Sequence, residues 1–202
     1  MTELRELYRQ PSRLVLEKAI DHVDGGVRDF LAKSPLFVLA TSDGTGVDAS
    51  PRGGPPGFVR VLDDHRVAFG DLAGNNRIDS YGNIAASPAV GMLCIVPGLD
   101  ETLRINGSAS VSTDEAIRAE CAIDGKVPKV AIVVDVDECF VHCGKAFRRG
   151  GVWDTATWPT ADERPSPGAM LNDHLSLGLT AEAIEADLEA GYTKTMWEVG
   201  GS

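Results

Sequence analysis

From Leu36 onward the chain alternates short runs of β-forming residues with tight-turn signals, and that rhythm restricts it to a mainly β architecture. Leu36-Phe37-Val38-Leu39-Ala40-Thr41 is followed by the turn Asp43-Gly44-Thr45-Gly46. Residues 47–52 then resume as strand, which predicts a hairpin. The breaker cluster Gly53-Gly54-Pro55-Pro56-Gly57 precedes predicted strands at 58–62 and 65–70, joined by Asp63-Asp64. Longer strands are expected at 89–96, 101–111 and 127–136. Many short strands with tight turns and few helices favour a barrel over a parallel sheet.

Helical spacing is confined to a few places. Val15, Leu16, Ala19, Ile20 and Val23 recur with helical period, so residues 12–33 read as helix with Ser12 as cap. Asp24-Gly25-Gly26 breaks that helix, and a further turn or two carries Val27, Phe30 and Leu31. A short helix is expected over 77–86. Another is opened near residue 112 by a capping box of Ser112 and Glu115. Residues 144–149 make one helical turn, and 150–173 read as an ordered loop. Thr180 caps a last helix that Gly191 ends after Ala190. Trp153 and Trp158 place large apolar area in that loop, which predicts that both rings pack on the barrel or across a dimer. The expected organisation is one domain: a helical extension over 12–33, a barrel over 36–143, and a C-terminal loop and helix over 144–202.

Composition narrows the function classes. At 43% hydrophobic residues, the 202-residue chain can bury a substantial core. Its net charge of -11 excludes nucleic-acid binding through the general surface and disfavours anionic lipid. A small phosphorylated ligand stays within reach, because local arginines outweigh distant charge beyond a screening length of ~8 Å. No apolar run approaches the ~20 residues of a membrane span. Residues 1–10 are charged and polar, so a cytoplasmic protein is predicted. Most of the cysteines at 94, 121, 139 and 143 lie in or beside apolar runs and read as buried thiols. Cys139, His142 and Cys143 lack the second close pair that a zinc site needs. Neighbours on one strand point to opposite faces, so His142 and Cys143 cannot form a catalytic dyad.

Four segments carry candidate chemistry. In Ser50-Pro51-Arg52-Gly53-Gly54, a cation at a strand end meets glycines over which a flat ligand can approach the backbone. Gly74-Asn75-Asn76-Arg77 opens a helix, where backbone N–H groups and an arginine fork suit an anion. An ordinary capped helix with a solvated arginine has the same residues. Thr102, Arg104 and Asn106 share one strand face, turned either to a ligand or to water. Lys145, Arg148 and Arg149 concentrate positive charge in an acidic chain.

Together these segments resemble the pyridoxamine 5'-phosphate oxidase-like family of flavin mononucleotide (FMN)-binding split β-barrels. The likeness runs from Leu36 to Trp158. Its motifs are Leu39-Ala40-Thr41, Ser50-Pro51-Arg52-Gly53, Pro56-Gly57-Phe58-Val59, Gly74-Asn75-Asn76-Arg77, Glu101-Thr102-Leu103-Arg104-Ile105-Asn106-Gly107 and His142-Cys143-Gly144-Lys145-Ala146-Phe147. The resemblance implies a mainly β split barrel with flanking N- and C-terminal helices. It also implies a homodimer whose two FMN sites each use both chains, and an oxidoreductase acting on a small molecule. It assigns cofactor contacts to Arg52, Gly53, Asn76, Arg77, Thr102, Arg104 and Lys145. A flavin-storage protein, or a barrel holding deazaflavin or haem with His142 as ligand, would share much of this pattern. Two features depart from it. Gly54 stands where the bacterial branch carries an acidic residue, and the arginine–histidine pattern expected near the C-terminus for vitamin B6 oxidation is missing.

Overall fold

The computed structural model describes residues 2–200. Two short helices, α1 (Thr2–Glu6) and α2 (Arg13–Glu17), precede α3 (Gly25–Leu31). The continuous helix expected over 12–33 does not form. Residue 20 instead bridges β-fashion to Cys139, with N–H···O distances of 3.0 and 2.7 Å. Asp24 then opens α3 by accepting the Val27 N–H at 2.8 Å, so Gly25 and Gly26 begin a helix rather than end one. Val15 and Leu16 are left exposed, whereas Val23, Val27 and Leu31 enter the core.

The strands β1 (Leu36–Ser42), β2 (Val47–Gly53), β3 (Arg60–Val61) and β4 (Arg66–Gly70) follow. Then come α4 (Asp79–Ala86), β5 (Ala89–Ile95), β6 (Thr102–Ser112), α5 (Glu115–Glu120) and β7 (Ala131–His142). The chain continues through α6 (Lys145–Arg149), α7 (Pro167–Leu175) and α8 (Ala181–Thr195). All seven strands form one antiparallel sheet in the order β2-β1-β5-β6-β7-β4-β3. In the first hairpin the Asp43 carboxylate accepts the Gly46 and Thr45 N–H groups and the Thr45 hydroxyl, which lowers its pKa to about 2.

The sheet curls until its distant strands meet. Phe37 on β1 lies 4.8 Å, ring centroid to centroid, from Phe69 on β4, although β5, β6 and β7 separate those strands in the sheet. Phe58, just before β3, stacks on Phe37 at 5.6 Å. These rings join Leu39, Met92, Leu103, Ile105, Ile132 and Val134 in one buried cluster. The two edge strands β2 and β3 do not pair, so the barrel is split.

A bulge sets which side chains enter that core. Asn106 opposes Glu138 but Gly107 opposes Val136, leaving Asp137 as the extra residue. Inward positions on β7 therefore switch from Ile132, Val134 and Val136 to Cys139, and Phe140 and His142 turn outward. Three cysteines are buried, and burial pushes their thiols up, Cys94 to about 12 and Cys121 and Cys139 to about 11.

Several boundaries differ from the sequence reading. The 58–62 strand shrinks to β3, and the last long strand lies further on than 127–136. Asp114, not Ser112, caps α5 by accepting the Ala116 and Ile117 N–H groups at 3.0 Å. The 150–173 segment holds a 3-10 turn, Thr155–Thr157, and α7, which Ser166 caps and Pro167 starts. Gly191 lies inside α8, because one glycine does not stop a helix capped by Thr180. Trp153 packs 5.8 Å from Phe147 and donates to the Leu99 carbonyl at 3.0 Å. Trp158 donates to the Val152 carbonyl at 3.2 Å but keeps half its surface exposed. No helix among the described residues is long and apolar enough to cross a membrane.

The bulge gives a direct test of the packing. A side chain at Gly107 would run into the Asp135 carbonyl. Gly107→Ala should lower stability by about 1–3 kcal/mol, read as a lower urea midpoint at unchanged slope.

Candidate functional site

Barrel closure creates the main candidate site. Arg52 pairs across the sheet with Phe37, and Asp71 follows Phe69 by two residues, so the Phe37–Phe69 contact brings the end of β2 against the loop after β4. Between them, and beneath the start of α4, is a cavity of about 490 Å³. Arg52, Asp71, Asn76, Arg77, Tyr81 and Lys129 are among the residues lining it. A chamber of about 160 Å³, with Gly53, Phe58 and Phe69 in its wall, shares Arg52, Asp71 and Tyr81 with the larger cavity.

Both arginines are held by identifiable partners. The Arg52 guanidinium donates through Nη2 to the buried Ser80 Oγ at 3.0 Å. Ser80 in turn donates to the Asp48 carboxylate at 3.3 Å, which also accepts from Ser50 at 2.8 Å. Arg77 donates through Nε to Asp79 at 2.7 Å, and that hydrogen bond raises the arginine's already high pKa. Engaging Nε fixes the plane of the guanidinium while its two terminal nitrogens keep the fork geometry that suits a phosphate. The Asn75 side chain accepts the Arg77 N–H at 3.0 Å, closing a local turn.

The backbone here differs from the expected helix start. Asn76 and Ile78 have positive φ, 55° and 52°, and α4 begins only at Asp79. Asn76 therefore stands in the loop before the helix, not at its N-terminus. A β-branched residue in the left-handed region is uncommon, and no residue type in the sequence announced it.

Tyr81 and Asp71 form the polar wall of the cavity. The Tyr81 hydroxyl donates to the Asp71 carboxylate. Burial first, and then that hydrogen bond and the carboxylate's charge, push the phenol's pKa well above its ordinary value. The phenol therefore stays protonated and donating across the neutral range. The sequence reading missed Asp48, Ser80, Asp71, Tyr81 and Lys129, since their relevance depends on contacts far apart in the chain. Only the alternation Asp48, Ser50, Arg52 along one strand face offered a local sign.

Arg52, Gly53, Asn76 and Arg77 thus meet at one site, whereas Thr102, Arg104 and Lys145 do not join them within one chain. Val111 reaches the cavity from β6, and Thr102 lies roughly 30 Å of strand away at ~3.3 Å per residue. Thr102 is buried opposite His142. Arg104 lies on the outer face with its Cζ 5.7 Å from the Phe140 ring. Lys18 sits over the same ring at 4.8 Å and donates to the Val141 carbonyl at 2.7 Å. The adjacent His142 has its Nδ1 buried without a partner. Its pKa is lowered by burial and then by the charges of Arg104 and Lys18. Lys145 is exposed on α6.

Among solved structures, the chain is similar to HupZ of Group A Streptococcus, at 19% identity over 58% of this chain and 92% of that one, with a TM-score of 0.48. It is also similar to General Stress Protein 26 of Bacillus anthracis, at 14% identity over 56% and 88%, TM-score 0.42. The FAD binding protein of Mycobacterium smegmatis matches at 15% identity over 61% and 97%, TM-score 0.41. No curated protein matches significantly. A family model described as pyridoxamine 5'-phosphate oxidase matches residues 23–143, which take in α3, all seven strands and the loop that carries Arg77. That match starts earlier and stops earlier than the motif likeness, and it covers more than half of the chain. The chain belongs to the pyridoxamine 5'-phosphate oxidase family.

Proposed function

We propose that the cavity between β2 and α4 binds FMN, and that the protein is a homodimeric, FMN-dependent oxidoreductase acting on a small molecule. The observation that carries this reading is the convergence of Arg52 and Arg77, from separate elements, on one cavity of about 490 Å³. That volume lies within the ~300–1,000 Å³ usual for small-ligand sites. The donor set fits a phosphate. Arg77 offers a fork, Arg52 is fixed by Ser80, and Lys129 adds charge to the same cavity. The neutral Tyr81 phenol and the glycine at 53 leave room for a flat, largely uncharged ring system beside that anion. When bound, FMN supplies the electron-transfer chemistry through its isoalloxazine ring, and the protein supplies position and polarity.

The dimer reading rests on the outer sheet face. Val38 pairs with Leu93, Leu93 with Arg104, and Arg104 with Phe140, so these residues form one row across four strands. Ala40 and Gly91 continue it beside them. A row in which Arg104 is the one charged member among Val38, Leu93 and Phe140 favours a two-fold partner presenting the same surface. In such a pair, Thr102, Arg104 and Lys145 are offered as contributions to the partner's site.

Arg77 tests the cofactor reading. A charge-assisted bidentate contact contributes roughly 1.5–3 kcal/mol, so Arg77→Ala should weaken FMN binding about 10- to 150-fold. Riboflavin, which lacks the phosphate, should bind parent and variant alike, as followed by quenching of flavin fluorescence. Arg77→Lys should recover part of the loss, because a point charge does not reproduce the fork. A protein that is colourless as purified and cannot be reconstituted with FMN would overturn the reading. Turnover is tested by adding NADH or NADPH anaerobically and following flavin absorbance.

For the dimer, light scattering should give twice the 21.4 kDa of one chain. Val38→Glu, which puts a charge in the outer row, should return that mass to a single chain without loss of secondary structure by circular dichroism.

A further inference from the structure

The last described residues of the chain return to the candidate site. After α8, residues 198–200 lie antiparallel to residues 71–73. Leu72 and Val199 form a β-bridge, the Ala73 N–H donates to the Glu198 carbonyl at 2.8 Å, and the Gly200 N–H donates to the Asp71 carbonyl at 3.2 Å. Lys126 anchors the same segment, donating to the Glu198 carboxylate at 2.9 Å and to the Trp197 carbonyl at 3.2 Å. Gly200 packs directly beneath the Asp71 carboxylate, so any side chain at 200 would overlap it. Asp71 receives the Tyr81 hydroxyl, and the Tyr81 N–H donates to the Ile78 carbonyl at 3.0 Å. A continuous set of contacts thus runs from the C-terminal segment through Asp71 and Tyr81 to the loop carrying Asn76 and Arg77.

We infer that residues 198–200 are a strap that positions the Asp71–Tyr81 pair, and through it the 74–78 loop, so that the anion-binding cavity is assembled by the far end of the chain. Asp71 and Tyr81 are positioning residues here. Their carboxylate–phenol bond forms one wall of the cavity that Arg77 also lines. The ligand part of the inference rests on the FMN reading, whereas the ordering of the loop does not.

Three reasons separate the strap from ordinary terminal packing. It uses main-chain hydrogen bonds on both sides of Leu72, which fix register as well as proximity. Its glycine is required by the Asp71 side chain and not by its own backbone, since only Gly200 leaves that carboxylate free to turn toward Tyr81. Finally, it lies across the residues that line both the main cavity and the small chamber, Asp71 and Leu72.

The test is Gly200→Val in the full chain, measured in two ways. Without any flavin, amide hydrogen exchange over 71–79 should accelerate in the variant while β6 and β7 keep their protection. With flavin, FMN affinity should fall about tenfold, the scale of one lost hydrogen bond at a charged group, and riboflavin affinity should change less. Tyr81→Phe should lower FMN affinity too. Because both changes act through Asp71, the double variant should fall short of the product of the two single effects. Glu198→Ala, which releases Lys126 without introducing bulk, should move exchange the same way by a smaller factor, and it decides the matter if Gly200→Val fails to fold. Unchanged exchange over 71–79 overturns the strap. Faster exchange with unaltered FMN affinity overturns its role in the site, and multiplicative effects in the double variant overturn the route through Asp71. If the parent binds no FMN, the cofactor reading falls while the exchange measurement still decides the strap.

Discussion

Phe37 and Phe69 touch across three intervening strands, and most of the molecule's chemistry follows from that contact. A seven-stranded antiparallel sheet can lie open with its apolar face uncovered, or it can curl until that face covers itself. Aromatic rings on β1 and β4, with Phe58 stacked beside them, favour the second outcome because they bury large apolar area in offset and edge-on geometries. Once they meet, Arg52 and Asp71 become neighbours across the barrel mouth. The candidate cavity is therefore a by-product of core closure. Its position is as secure as the core, although its lining residues are mostly on the surface.

Charge in this cavity is distributed unlike charge over the rest of the protein. The net charge of -11 makes the average surface repel an anion. Locally, Arg52, Arg77 and Lys129 offset the nearby carboxylates, and each of those carboxylates orients a neighbouring side chain. Asp79 takes Arg77 at Nε, Asp48 takes Ser80 and Ser50, and Asp71 takes Tyr81. The exposed Arg77–Asp79 pair adds little stability, since solvent screens an exposed ion pair and holding two side chains in one geometry costs entropy. Its effect is on orientation. A guanidinium held at Nε presents a defined edge, whereas an unheld one samples many rotamers and loses entropy on binding.

What the sequence made legible follows the reach of its signals. Strands bounded by turns were readable because turn residues act locally: Asp43-Gly44-Thr45-Gly46 places β1 and β2 correctly without knowledge of anything else. The start of α3 was misread because a Gly-Gly pair weakens a helix interior, while Asp24 makes the same pair an acceptable first turn. The Asp137 bulge could not be read at all. Its cost and benefit depend on the partner strand, where Gly107 tolerates the Asp135 carbonyl. Within the site, Arg52 and Arg77 stood out as cations beside glycine and asparagine. Asp71, Tyr81 and Lys129 did not, because ordinary residues in ordinary-looking segments acquire a role only when the barrel closes. The pairing of Leu72 with Val199 spans most of the chain and lies furthest from any local signal.

The bulge also sets which β7 side chains stand beside Arg104 on the outer face. Without the extra residue, the inward set on β7 would continue as 132, 134, 136, 138, 140 and 142, burying Glu138, Phe140 and His142 in an apolar interior. One added residue turns that row outward and sends Cys139 in. Arg104 reaches the outer face by the unbroken alternation of β6, between the buried Leu103 and Ile105, and the bulge brings Phe140 to the same face opposite it. The inner face then has only apolar work to do, and the outer face acquires a half-buried row that mixes Val38, Leu93 and Phe140 with one guanidinium. A charged residue in such a row is expensive to cover unless what covers it supplies an acceptor. Arg104 therefore sets a chemical requirement on anything that packs there, and an anionic group at the neighbouring surface is the arrangement that meets it. The same displacement of one residue that closes the core thus fixes which polar groups the domain can offer to a second surface.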